Sequence, residues 1–140
     1  MITTEAITPL LVSAGVGTLI GLEREIRGVP AGMRTHALVA LGSTIFTIAS
    51  LSFGGAADAS RVAAQVAVGV GFIAGGVIFK SGNDIRGMTT AANLWVVSAL
   101  GIIIGLQQYY LAAVSAVILL AILILGRIIE RKVLHEKKKP

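Results

Sequence analysis

A chain of 140 residues has room for one domain, but 55% of it is drawn from AVILMFWYC, 17 residues are glycine and only 14% are charged, against about 25% in an ordinary soluble domain. With a mean hydropathy of +0.87 there are too few polar side chains to coat a globule in water, which excludes a soluble fold, a disordered chain and a secreted disulfide scaffold, and points to lipid as the solvent. The absence of cysteine removes thiolate chemistry, disulfides and cysteine-based metal sites, and the net charge of +5 has to be read from its distribution along the chain before any nucleic-acid partner is considered.

In chain order, the charged residues leave apolar blocks at 6–22, 35–57, 62–79 and 87–126. A helix rises about 1.5 Å per residue, so each of the first three suits one crossing of a hydrocarbon core of about 30 Å. The fourth is twice as long and is divided by Gln107, Gln108, Tyr109 and Tyr110, polar and interfacial types suited to a turn at the membrane surface. The prediction is an all-α integral membrane protein with five transmembrane helices, over about 7–23, 37–53, 62–79, 91–107 and 110–128. These form a transmembrane domain at 1–130 followed by a basic tail at 131–140. The opening MITTEA has no basic n-region, so the first block reads as a retained span and not as a cleaved signal peptide.

Five spans place the 24–36 loop, the 80–90 loop and the tail on one face. That face receives eleven of the twelve basic residues, leaving only Arg61 opposite. By the positive-inside rule the N-terminus is expected outside and the C-terminus in the cytoplasm. The charge is thereby assigned to topology and lipid contact, and nucleic acid is not expected as a partner.

Self-similarity is visible within the chain. GVGTLIG at 15–21 returns as GVGFIAG at 69–75, and GMRTHA at 32–37 returns as GMTTAA at 87–92. Spans 1 and 2 thus read as a parallel copy of spans 3 and 4, the alternative being chance similarity in a Gly- and Ala-rich chain. Glycines four apart, Gly17 with Gly21, Gly71 with Gly75 and Gly101 with Gly105, make small-residue seams that let helix backbones approach. Spans 1 and 3 are expected to pack through the first two seams. VILLAILIL at 117–125 is bulky throughout, so span 5 is expected to face lipid or a second subunit.

The polar residues worth weighing lie at the ends of spans. Glu23 and Arg27 are four apart, acid first, and pair if the helix continues. Arg34 and Thr35 open span 2; Asp84, Thr89 and Thr90 surround the start of span 4, and Asn93 lies about a turn inside it. A cytoplasmic pocket formed from Glu23, Arg27, Arg34, Thr35, Asp84, Thr89, Thr90 and Asn93, with Glu23 and Arg34 as a charge-assisted pair, is one reading. Interfacial groups that snorkel and fix orientation are the other, and it is preferred for Arg24, Lys80 and Arg86.

No span carries an ionisable residue at its middle, which disfavours ion-coupled transport. Glu23, Asp84, Asn83 and nearby hydroxyls offer oxygen ligands of the kind Mg²⁺ takes, which is weak ground for a metal site. His36 and His135 are single and lack metal-motif spacing, so a hydrogen-bonded or solvated histidine is expected at each. There is no GxSxG, GxGxxG or GxxxxGK[ST], and neither an enzyme nor a cofactor is expected.

GLEREIRGVPAGMRTHALVALGS, followed by VGVGFIAGGVIFKSGNDIRGMTTAANLWVVSALGIIIG, closely resembles the membrane domain of the MgtC/SapB family of bacterial inner-membrane proteins, from about residue 10 to residue 130. The matching residues are Glu23, Arg24, Glu25, Gly28, Gly32, Arg34 and Thr35, then Gly71, Gly75, Gly76, Arg86, Gly87, Thr89, Thr90, Asn93 and Trp95. The resemblance implies a multi-span protein with basic loops inside, linked to growth in low magnesium and to virulence. It also implies action through other membrane proteins, the proton-translocating ATP synthase among them. The best-studied members of the family carry a soluble C-terminal domain of the ACT-like type, and this sequence ends about a dozen residues after span 5, so roles of that domain are not carried over. The expected function is non-enzymatic binding to a partner membrane complex or to itself as a homo-oligomer; the alternative is a cation channel or transporter with Glu23, Asp84 and Asn93 near its inner mouth.

Overall fold

A computed structural model describes the backbone of residues 4–52 and 56–136, and side chains over 6–52 and 60–133. It contains five helices in chain order: α1 (Thr4–Ile26), α2 (Met33–Ser52), α3 (Ala56–Gly75), α4 (Met88–Gly105) and α5 (Tyr109–Glu136). Between α3 and α4 lies a small antiparallel hairpin of β1 (Phe79–Ser81) and β2 (Asp84–Arg86). Among the described residues four helices are long and apolar enough to cross a membrane, within α1, α2, α4 and α5, and the apolar part of α3, Ser60–Gly75, is shorter. The protein is an all-α membrane protein.

The helix ends follow local chemistry. α1 runs three residues past its expected end and stops in a Schellman motif. Gly28 takes a left-handed φ of 66°, its N–H donates to the Glu25 carbonyl, and the Val29 N–H donates to that of Arg24. Pro30 then prevents continuation. The α4–α5 turn has the same pattern, with Gln107 N–H on the Ile104 carbonyl and Gln108 N–H on that of Ile103, and there a glutamine holds the left-handed position, φ 59°. The third span was expected over 62–79. α3 ends at Gly75 instead, because Gly82 (φ 59°) and Asn83 form a two-residue turn that folds Phe79–Arg86 into the hairpin.

α2 and α4 form the centre. In lipid the association of helices rests on close packing more than on escape from water, and small residues set how close they come. A Cβ at Gly101 would overlap the Ala40 carbonyl oxygen, and one at Gly105 would lie 2.7 Å from Thr47 Cβ. The Thr44 hydroxyl donates to the Ala40 carbonyl at 3.0 Å and across the seam to that of Gly101 at 2.8 Å. α1 packs closely on α2 and also touches α4; a Cβ at Gly17 would meet the His36 carbonyl oxygen at 2.6 Å and one at Gly21 would meet Met33 Cα at 2.6 Å. α3 lies against α2 and α4 through the stripe Val62, Val66, Val70, Ala74, and α5 against α4 through Ala112, Leu119 and Leu123.

The expected seam between spans 1 and 3 is therefore corrected. Gly17 and Gly21 serve the α1–α2 contact, while Gly71 and Gly75 are exposed and a Cβ at either would meet nothing within 4 Å. The i, i+4 stripe that α3 buries is offset by one position from these glycines. The two sequence copies still share one feature: α2 and α4 each begin at the methionine after the repeated glycine, Met33 and Met88.

Candidate functional site

Buried serine and threonine hydroxyls are spread along the bundle, but its buried guanidinium, imidazole and amide side chains gather at one end, where α1 stops and α2 and α4 start. Gly17, Gly21 and Arg24 follow one another at i, i+4 and i+7, so the helix stripe that carries the seam also carries the guanidinium inward. Arg24 is 7% exposed. Its Nη2 donates to the Thr90 hydroxyl on α4 at 3.5 Å, and its Nη1 is 3.6 Å from the Glu23 carboxylate. Arg27 Nε donates to the other Glu23 oxygen at 2.8 Å, the i, i+4 pair that continuation of α1 permits. Glu25 turns the other way and accepts the Met33 N–H at 2.9 Å, capping α2 from the preceding helix.

One turn deeper, His36 of α2 and Asn93 of α4 face each other, both almost fully buried. His36 Nδ1 donates to the Gly32 carbonyl at 2.8 Å and Nε2 accepts from the Asn93 amide at 3.0 Å, which is the arrangement of the neutral Nδ1–H tautomer. Asn93 Oδ1, Arg24 Nε and Glu23 Oε2 are buried without a hydrogen-bond partner. Unsatisfied groups of this kind are expensive where no water reaches, so their clustering within one end of the bundle marks it as a site.

Of the eight residues expected to converge, Glu23, Arg27, Thr90 and Asn93 do so, and Thr89 is exposed beside them. Three do not. Arg34 is exposed in the first turn of α2, and Glu23 pairs with Arg24 and Arg27 instead of with it; Thr35 faces a groove between α2 and α3; Asp84 is exposed on β2. The turn at 27–32 rotates Arg34 away, and the hairpin carries Asp84 off the bundle. The reading of Arg24 as a snorkelling anchor is corrected by its burial, a placement legible in its spacing from Gly17 and Gly21. Among the described residues no three His, Asp or Glu side chains come together to hold a metal ion.

A family model described as "MgtC family" matches residues 10–132. The chain belongs to the MgtC family. Curated relatives agree. The chain is 42% identical over 130 residues to "Putative magnesium transporter YhiD" of Escherichia coli K12, covering 86% of this chain and 60% of that one. It is 43% identical over 107 residues to "Protein MgtC" of Brucella abortus, covering 76% and 45%, and 41% identical over 118 residues to "Protein MgtC" of Salmonella typhimurium LT2, covering 84% and 51%. The chain thus spans about half the length of the curated relatives it matches. No solved structure matches it significantly. The buried Arg24, Thr90, His36 and Asn93 all lie within the stretch that defines the family.

Proposed function

We propose that the chain is a non-enzymatic inner-membrane protein that acts by binding other membrane proteins or a second copy of itself, in a setting of magnesium limitation or virulence. The observation that carries this reading is an open groove of about 1060 Å³ between α2 and α3, lined by Leu38, Val39, Gly42, Phe46, Val66, Gly69 and Ile73. Positions 42 and 69 have open space where a Cβ would stand, which is the surface a further transmembrane helix packs against. The eleven-to-one division of basic residues supports an N-terminus outside and a C-terminus in the cytoplasm. The ATP synthase implied by the family resemblance is the first partner to test.

The experiment is photo-crosslinking in native membranes from a reactive side chain placed at Phe46 or Ile73. Adducts formed from these positions and abolished by Gly42→Leu with Gly69→Leu support the reading, since both substitutions fill the groove where there is room for them. Absence of any protein adduct from either position counts against it.

A magnesium transporter is the second reading, supported by the name of the Escherichia coli relative. The placement of the oxygen ligands argues against it. Glu23 faces two guanidinium groups, and Asp84 is on the exposed hairpin.

A further inference from the structure

Beside Arg24 a cavity of about 350 Å³ opens between α1, α4 and α5. Three guanidinium groups line it, from Arg24, Arg27 and Arg127, against one carboxylate, Glu130. Arg27 is held at Nε by Glu23, which leaves the far edge of its guanidinium unclaimed by that bond. The Arg24 side chain is 8% exposed and its Nε donates to nothing. A buried, charged N–H without an acceptor is unfavourable unless something in the cavity supplies one.

We propose that this cavity takes the phosphate headgroup of an anionic phospholipid. Depth favours it. Arg24 lies about 27 Å along α1 from Ala6, and Arg127 about 27 Å along α5 from Tyr109, so both stand near one hydrocarbon thickness from the opposite end of their helices, where lipid phosphates lie. Chemistry favours it as well, because the planar fork of arginine matches phosphate oxygens, and basic pockets between transmembrane helices suit anionic headgroups. The wall decides between a lipid and a free anion. Ile122 lines the cavity and is 64% exposed on the outer surface of α5, so an acyl chain can leave the headgroup along that apolar face, whereas a soluble phosphate would gain nothing from it. The inference does not depend on the partner-binding reading.

Native mass spectrometry of the full chain in neutral detergent tests it, titrating phosphatidylglycerol, phosphatidylcholine of the same acyl chains, and inorganic phosphate in separate arms. Phosphatidylglycerol should be retained at about a tenth of the phosphatidylcholine concentration or less. Arg127→Gln should weaken its retention about fivefold, the loss of one lipid-facing cation, and Glu130→Gln should strengthen it. Arg34→Gln, at the same end of the bundle but outside the cavity, should leave it unchanged. Arg127→Gln carries the test because Arg24→Gln, being buried, can fail by unfolding. Equal retention of the two lipids, or unchanged phosphatidylglycerol retention in Arg127→Gln, would overturn the proposal. So would displacement of bound phosphatidylglycerol by inorganic phosphate at comparable concentration, which would assign the cavity to a soluble anion.

Discussion

Arg24 is the residue on which the end of the bundle turns, since it links the α1 carboxylate of Glu23 to the α4 hydroxyl of Thr90. Arg24→Ala removes a buried side chain and its hydrogen bond to Thr90 while Glu23 keeps its pair with Arg27, so it is expected to cost about 1–3 kcal/mol. Arg34→Ala, on an exposed side chain, is expected to change stability by no more than about 0.5 kcal/mol. Thermal or denaturant unfolding of the purified protein in detergent reads both, and Glu23→Ala combined with Arg34→Ala should be additive because the two side chains do not meet. Equal effects of Arg24→Ala and Arg34→Ala would show that the burial of Arg24 contributes nothing. The polar positions were partly legible in the sequence. Glu23 and Arg27 could be paired from their spacing, and Asn93 stood out by its depth, but pairing Glu23 with Arg34 required the geometry of the Gly28–Gly32 turn, which composition does not reveal. His36 was readable only as a hydrogen-bonded or solvated side chain, because its partner Asn93 is 57 residues away.

At the scale of the elements, four of the five helices follow directly from length and hydropathy, since lipid demands that each crossing satisfy its own backbone. The β1–β2 hairpin is not legible in the apolar pattern, because its signal is a single Gly82–Asn83 pair inside a polar loop. Which glycines serve as seams was also beyond the sequence. All three pairs have the same spacing, and only the offset of the buried stripe on α3 separates Gly71 and Gly75 from the rest. Gly101→Leu should push α2 and α4 apart and cost about 1–3 kcal/mol, with Gly105→Leu similar. Gly71→Leu and Gly75→Leu should leave the melting temperature of the monomer near the wild-type value. A large loss in the Gly71 or Gly75 variants alone, measured by thermal unfolding in detergent, would mean that α3 packs through the glycines after all.

The whole molecule joins a closely packed α2–α4 centre, a polar cluster at one end and an open groove between α2 and α3. Topology is the first thing to check. Single cysteines introduced near Thr4, Ala57 and Gln108 are expected to label from the outer side of the membrane and one near Glu136 from the inner side, so that Thr4 and Glu136 lie on opposite faces. Labelling of those two from the same face would remove the five-crossing arrangement on which the eleven-to-one charge division rests. The central claim, that the chain binds partners and does not conduct ions, is tested most directly by Mg²⁺ flux into proteoliposomes containing the purified full chain. The predicted flux equals that of protein-free liposomes. Protein-dependent Mg²⁺ entry that disappears in Glu23→Gln and Asn93→Ala, with folding retained, would contradict it.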